Sequence, residues 1–185
     1  MKLRIETCDL SLAALDAVEV DSLAAFVGAE RPLTGLPSLV DWRLAGAVSR
    51  AILAGTVTPE HGEALLLPGA GRLRAGRVFL FGVGDPSPRT AALAVRHACE
   101  ALRRAGAKAV GIAFPAGAPL PVLARAWVEA AASAGFARQV VMGETRSLGP
   151  ALEVAARELG IAAEVVRAAA RVELPVPPAA AAPTA

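Results

Sequence analysis

The chain has no asparagine and no tyrosine, and only one glutamine, two lysines, two histidines and two cysteines in 185 residues. Each shortage closes off some chemistry. Cys8 and Cys99 are far apart and belong to neither a CxxC pair nor a zinc-ligand spacing, so buried, reduced thiols are expected. His61 and His97 likewise lack a partner at ligand spacing, and are expected at the surface. The aspartates at 9, 16, 21, 41 and 85 occur singly, whereas a two-metal hydrolase needs carboxylates converging from strand ends with a Lys or His nearby. HExxH, GxSxG and the P-loop signature are absent as well. No catalytic residue, metal or cofactor is therefore expected. Aromatics make up 4% of the chain against 55% hydrophobic residues overall, which leaves Ala, Leu and Val to build the core and favours helices packed closely on a sheet. A net charge of +2 is too small to imply a nucleic-acid or membrane partner. The first residues lack the apolar region of a signal peptide. The longest uncharged internal run, 109–124, contains Gly111, Pro115, Gly117, Pro119 and Pro121, which exclude a continuous spanning helix. A cytoplasmic protein is expected.

What is present reads as alternating strands and helices. Charged Lys2, Arg4 and Glu6 alternate with Leu3 and Ile5, the period of a half-buried strand. A second strand spans 21–27. After turn residues, Pro37 opens a helix over 37–53 whose stripe is Leu36, Val40, Leu44, Ala47, Val48 and Ala51. The short apolar runs 64–67 and 78–81 are expected as central strands covered on both faces. A helix over 87–105, a strand over 109–114, a helix over 120–134, a strand over 140–142 and a helix over 150–159 follow. Residues 163–172 continue as a last strand or as an extension of that helix. This order predicts one α/β domain over 1–173, a three-layer α/β/α sandwich with a mixed, mostly parallel sheet. The Pro/Ala-rich, uncharged stretch 174–185 cannot bury enough surface to offset its ordering entropy and is expected as a disordered tail.

Three stretches carry a family resemblance: the helix LVDWRLAGAVSRAILAG, the following TPEHGEALLLP, and RVFLFGVGDPS leading through a helix to AGAKAVGIAFP. In order and spacing they resemble the N-terminal domain of cytosolic leucyl aminopeptidases, over roughly residues 21–142. In that family the metals and the catalytic Lys and Arg sit in the C-terminal domain, on motifs that include an Asn-Thr-Asp-Ala-Glu-Gly-Arg run. A chain without asparagine cannot contain it. The resemblance thus implies a non-catalytic, stand-alone domain acting by self-association or by binding a separate catalytic protein. The same domain resembles macro domains, which bind ADP-ribose. Val20, Asp21, Ser22, Leu23 and Ala24 match the start of their Val-Asp-Ala-Ile-Val-Asn-Ala-Ala-Asn strand, with Asp21 as an adenine contact. Ala25 and Gly28 stand where the two Asn contacts to ribose would be, so weak or absent ADP-ribose binding is expected.

Locally, Gly82, Gly84 and Asp85, with Ser87, form a turn opening a helix whose first N–H groups can hold an anion. The alternative is structural: the glycines permit a tight turn while Asp85 or Ser87 caps the helix. Arg72, Arg74 and Arg77 concentrate in one loop, the sole local support for a DNA-contacting role; without interleaved aromatics a solvated loop is expected. Trp42 and Trp127 are expected in the core or at an interface. The readings are thus a self-associating or partner-binding domain, a macro-like nucleotide or phosphate module at Asp21 and the Gly82–Ser87 turn, and a DNA-contacting regulatory domain.

Overall fold

A computed structural model describes residues 2–85 and 87–168. The expected tail at 174–185, and the last residues of the predicted domain, lie outside that range. Seven strands form one sheet: β1 (Leu3–Cys8), β2 (Ser22–Val27), β3 (Ala64–Pro68), β4 (Arg77–Gly82), β5 (Ala109–Ala113), β6 (Arg138–Met142) and β7 (Ala163–Arg167), in the spatial order β3-β4-β2-β5-β6-β1-β7. All pairings are parallel except that of β3 with β4. Strands β2 and β4 are buried on both faces because helices cover both. The alternation of side chains splits the core in two. Leu23, Ala25, Val27, Val78 and Leu80 face α1 (Leu12–Ala17), α2 (Gly35–Arg43) and α3 (Ala47–Leu53). Ala24, Phe26, Phe79 and Phe81 face α4 (Pro88–Arg104), α5 (Leu120–Ala131) and α6 (Thr145–Glu158). The α/β/α sandwich with a mixed, mostly parallel sheet is the fold.

Several elements differ from expectation for identifiable reasons. The single helix over 37–53 is two helices, because Ala45 and Gly46 enter the left-handed region at φ 53° and 83°. Asp41 stabilises the break: its carboxylate accepts from Ser49 N–H at 3.0 Å and from Ser49 Oγ at 2.6 Å, satisfying orphan donors in the first turn of α3. Strand β3 is not central; it is the antiparallel edge, and its residues alternate between exposed and half-buried. Helix α1 was not anticipated from the apolar pattern, though Ser11 caps it by accepting from Ala14 N–H at 3.1 Å. Helix α6 begins at Thr145, upstream of Pro150, because Asp9 accepts from Thr145 N–H and Oγ at 3.0 and 2.9 Å and supplies the cap that Glu144 does not. Of the final segment read from the sequence, Ala163–Arg167 is a strand, β7, and residues from 169 on lie outside the described residues.

Trp127 is fully buried and stacks on Phe136, whereas Trp42 is 73% exposed. Cys99 is buried, and burial pushes its thiol up to about 12, with Glu100 adding to the effect. Cys8 is half-buried, and its thiol is raised by burial and then by Asp9 and Glu6. His97 is half-buried rather than at the surface, its ring edge-on to Phe81 at 5.6 Å. No helix among the described residues is long and apolar enough to cross a membrane.

Candidate functional site

In open parallel sheets, ligands bind in the crevice outside the carboxyl ends of the strands, where connections diverge. Here β2 lies between β4 and β5, and the chain crosses over it through α4. The ends of those three strands line a cleft of about 280 Å³. Its walls are Phe26 near the end of β2 and Gly28 just past it, Val83 and Gly84 after β4, and Ala113 to Ala116 at the end of β5, closed by Thr34, Leu36 and Pro37 where α2 begins. The lining is mostly apolar, with Thr34 as a neutral side-chain polar group and Glu30 as a charged one. An apolar cleft carrying a carboxylate suits a polyphosphate poorly, since among the described residues no guanidinium or ammonium lines it, and nearby Arg31 spends its guanidinium on the Gly28 and Glu30 carbonyls.

The Gly82–Ser87 turn borders this cleft, but the N–H groups of Gly82, Val83 and Gly84 are already committed. The segment Pro59 to His61 folds over it: Gly84 N–H donates to Pro59 C=O at 2.7 Å and Gly82 N–H to Glu63 C=O at 3.0 Å. Val83 N–H donates to Val27 C=O at 3.2 Å. Glycine is required for close approach, because a Cβ on Gly82 would lie 2.0 Å from Glu60 C=O, and one on Gly84 would lie 2.8 Å from His61 Cβ with φ at +78°. Ser87 forms a capping box: its Oγ accepts from Thr90 N–H, and its own N–H donates to Thr90 Oγ1, both at 3.2 Å. Asp85 is exposed. Of the turn residues, Gly84 lines the cleft, while Ser87 spends its polar groups on α4. Of the donors read from the sequence, the N–H groups of Gly82, Gly84 and Ser87 are taken by the protein's own chain.

Asp21 is not brought to that turn. The register pairs Ser22 with Arg77 and Val27 with Gly82, so Asp21 lies at the other end of the strands, about 20 Å away at the usual rise per residue. There its carboxylate accepts from Lys108 N–H at 2.7 Å, Ala109 N–H at 2.8 Å, Ser22 Oγ at 2.6 Å and Arg77 Nη2 at 2.9 Å. Burial opposes its ionisation, yet the bonds from Ser22, Ala109, Lys108 and Arg77 outweigh it and hold the carboxyl below its ordinary value of 3.8. Asp21 is a clamp tying β2, β4 and β5 together. Ala25 is buried on the face covered by α2, so an Asn there would point into the core; Gly28 does line the cleft.

Three other aspartates are similarly occupied. Asp16 pairs with Arg43, Asp41 caps α3, and Asp9 holds Thr145 and Arg167. Among the described residues no three His, Cys, Asp or Glu side chains converge as a metal site would require. In the arginine loop, Arg74 pairs with Glu19 at 2.9 Å and Arg77 with Asp21 at 2.9 Å, which draws two of its three guanidiniums into the fold. Phe26, Thr34 and the 113–116 wall were not singled out in the sequence. The signal for Phe26 and residues 113–116 was positional, at the carboxyl ends of adjacent parallel strands; Thr34, the residue before α2, carried none.

The description "Cytosol aminopeptidase family, N-terminal domain" matches residues 24–142. The chain belongs to this family. Among solved structures it is similar to a tomato leucine aminopeptidase variant at 18% identity and a TM-score of 0.58, the match covering 83% of this chain and 35% of that one. It therefore spans about a third of the plant enzyme. It is also similar to a Trypanosoma brucei macrodomain in complex with ADP-ribose, at 16% identity and a TM-score of 0.62, covering 81% of this chain and 68% of that one. An Oceanobacillus iheyensis macrodomain with MES bound gives 12% identity and a TM-score of 0.61, covering 84% and 90%. At such identities the likeness concerns the fold. No curated protein sequence matches the chain.

Proposed function

We propose that this cytosol aminopeptidase N-terminal domain acts by binding protein, either a second copy of itself or a separate catalytic partner, and does not hydrolyse peptides itself. The observation that carries the reading is Trp42, 73% exposed at the end of α2, followed on α3 by Leu53 at 87%. An exposed tryptophan is costly to leave in water and is the residue type most often found anchoring a protein interface. The aspartates support the second half of the proposal, because those at 9, 16, 21 and 41 are spent on caps, clamps and ion pairs. Sedimentation of the purified chain, alone and mixed with a separately expressed cytosol aminopeptidase catalytic domain, tests it. Trp42→Ala should weaken the association with that catalytic domain about tenfold, roughly 1.4 kcal/mol, with little change in unfolding midpoint. Hydrolysis of leucyl amides with added manganese or zinc that co-purifies with the chain, and vanishes when its own carboxylates are substituted, would overturn the non-catalytic half.

The cleft above β2, β4 and β5 favours a second reading, a module for a nucleotide or other small ligand. The T. brucei relative is described in complex with ADP-ribose. Calorimetry with ADP-ribose separates the readings: millimolar or weaker binding is expected here, and micromolar affinity would make the ligand reading the better one.

A further inference from the structure

The two edges of the sheet are built differently. Strand β7 carries Glu164, paired with Lys2 at 3.4 Å, and Arg167, paired with Asp9 at 2.8 Å. Charges of this kind are the usual protection of an open edge. Strand β3, with the sequence ALLLP, carries none. Residues opposite each other in an antiparallel pair alternate between exchanging hydrogen bonds and not doing so. The register places Leu66 opposite Phe79 and Leu67 opposite Val78. At its two ends Gly82 N–H donates to Glu63 C=O, and Gly69 N–H donates to Gly76 C=O. The odd-numbered residues of β3 therefore bond to β4. Ala64, Leu66 and Pro68 turn their backbone groups to the open edge, and Pro68 occupies the kind of position where a missing N–H breaks no ladder bond. Leu66, 52% exposed, lies opposite Phe79, whose ring stacks on Phe81, so apolar surface continues outward from the sheet.

We infer that β3 pairs antiparallel with β3 of a second copy, about a two-fold axis at Leu66, and joins the two sheets into one. This rests on the self-association reading and gives it a surface. The strand is self-complementary under that axis. Leu66 N–H of each copy meets Leu66 C=O of the other, and Ala64 N–H meets Pro68 C=O, giving about four bonds. Leu65 faces Leu67, and no like charges oppose each other within the paired segment, so a second copy meets none of the repulsion that discourages self-pairing. A five-residue strand pair buries less than the roughly 1,200 Å² of a standard interface, so a reversible, micromolar dimer is expected.

Sedimentation equilibrium of the full chain across the micromolar range tests the inference. The wild-type chain should fit a monomer–dimer equilibrium. Leu66→Lys and Leu66→Glu should each weaken it about tenfold or more, because each places two like charges across the axis. An equimolar mixture of the two variants should restore the dimer, since opposite charges then face one another. That recovery cannot come from misfolded chains. A wild-type chain that stays monomeric throughout would remove both this inference and the self-association reading. A dimer unaffected by Leu66→Lys would leave self-association standing on another surface and overturn this one. Failure of the mixture to recover would overturn the two-fold pairing, and a wild-type monomer that binds the separate catalytic domain through Leu66 would give the edge a different occupant.

Discussion

At the N-terminal ends of the parallel strands, charged side chains reach across to backbone; at the C-terminal ends of β2 and β4, backbone meets backbone with nothing between. Asp21 gathers two N–H groups from the start of β5, Arg77 reaches Ala105 C=O at 2.7 Å, and Arg138 reaches Glu19 C=O at 3.0 Å. Opposite them, Gly82 and Gly84 let the 59–61 segment lie directly on the strand ends. The first end is held by electrostatics and depends on pH. The second is held by shape, and at Gly82 and Gly84 it has no room for an added atom. A polar residue near a strand end in the sequence is therefore no guide to a ligand until it is known which end it occupies.

The comparison is tested most severely at Gly82. A Cβ there would stand 2.0 Å from Glu60 C=O and 2.9 Å from the carbonyl carbons of Glu60 and Pro59, all backbone atoms, so no rotamer change relieves the clash. Gly82→Ala should destabilise the domain by about 3 kcal/mol, the upper part of the range for overpacking, measured by chemical denaturation. It should also loosen β3, whose entry segment is the one displaced. A loss below about 1 kcal/mol would mean that the segment slides freely and that shape does not hold this end.

Asp21→Ala should cost less, about 1 to 2 kcal/mol near neutral pH, because the side chain is partly exposed and solvent can satisfy some of the freed donors. The effect has a direction in pH. The folded-state carboxyl lies below its ordinary 3.8, so its contribution is complete above that value and is lost as pH falls through the lower folded value. The wild-type and Asp21→Ala unfolding curves should accordingly differ at pH 7 and converge in strong acid. Curves separated equally at every pH would mean that the charge of Asp21 is not what clamps the strands.

This contrast also explains what was legible in the sequence. Periodicity found the layers, since apolar stripes such as Ala91, Val95, Ala98 and Leu102 on α4 are local facts about burial. The central position expected for residues 64–67 failed because a continuous apolar run looks the same in a buried strand and in an unprotected edge. The break in the first long helix was hidden because Ala45 gives no sign of a positive φ, and Asp41 and Ser49 read as solvent-facing until their bond is seen. Asp21 and the Gly82 turn read as one site only through the macro-domain resemblance, which makes Asp21 an adenine contact; the parallel pairing of β2 with β4 sets them at opposite ends. The cleft itself is assembled from three strand ends and the start of α2, far apart in the chain, and no local pattern encodes it.

The smallest stability effect is expected at Gly28, which lies at the same end as Gly82 but faces the open cleft. A Cβ there would meet nothing within 4 Å, and its backbone is outside the left-handed region, so Gly28→Asn should move stability by less than about 0.5 kcal/mol. Gly28 lines the cleft, so the new amide would stand in it as a donor and acceptor. If the cleft accepts a ribose, one added hydrogen bond should tighten ADP-ribose about five- to tenfold, near 1 kcal/mol. Glu30, also lining the cleft, repels the diphosphate and limits the gain. Calorimetry on the wild type, Gly28→Asn and Gly28→Asn with Glu30→Gln reads the two contributions separately. An affinity that rises in the single variant and again in the double variant would place the ligand across the strand ends. Three identical titrations would show that the cleft does not take ADP-ribose in this orientation, and would leave the exposed apolar surfaces as the working parts of the domain.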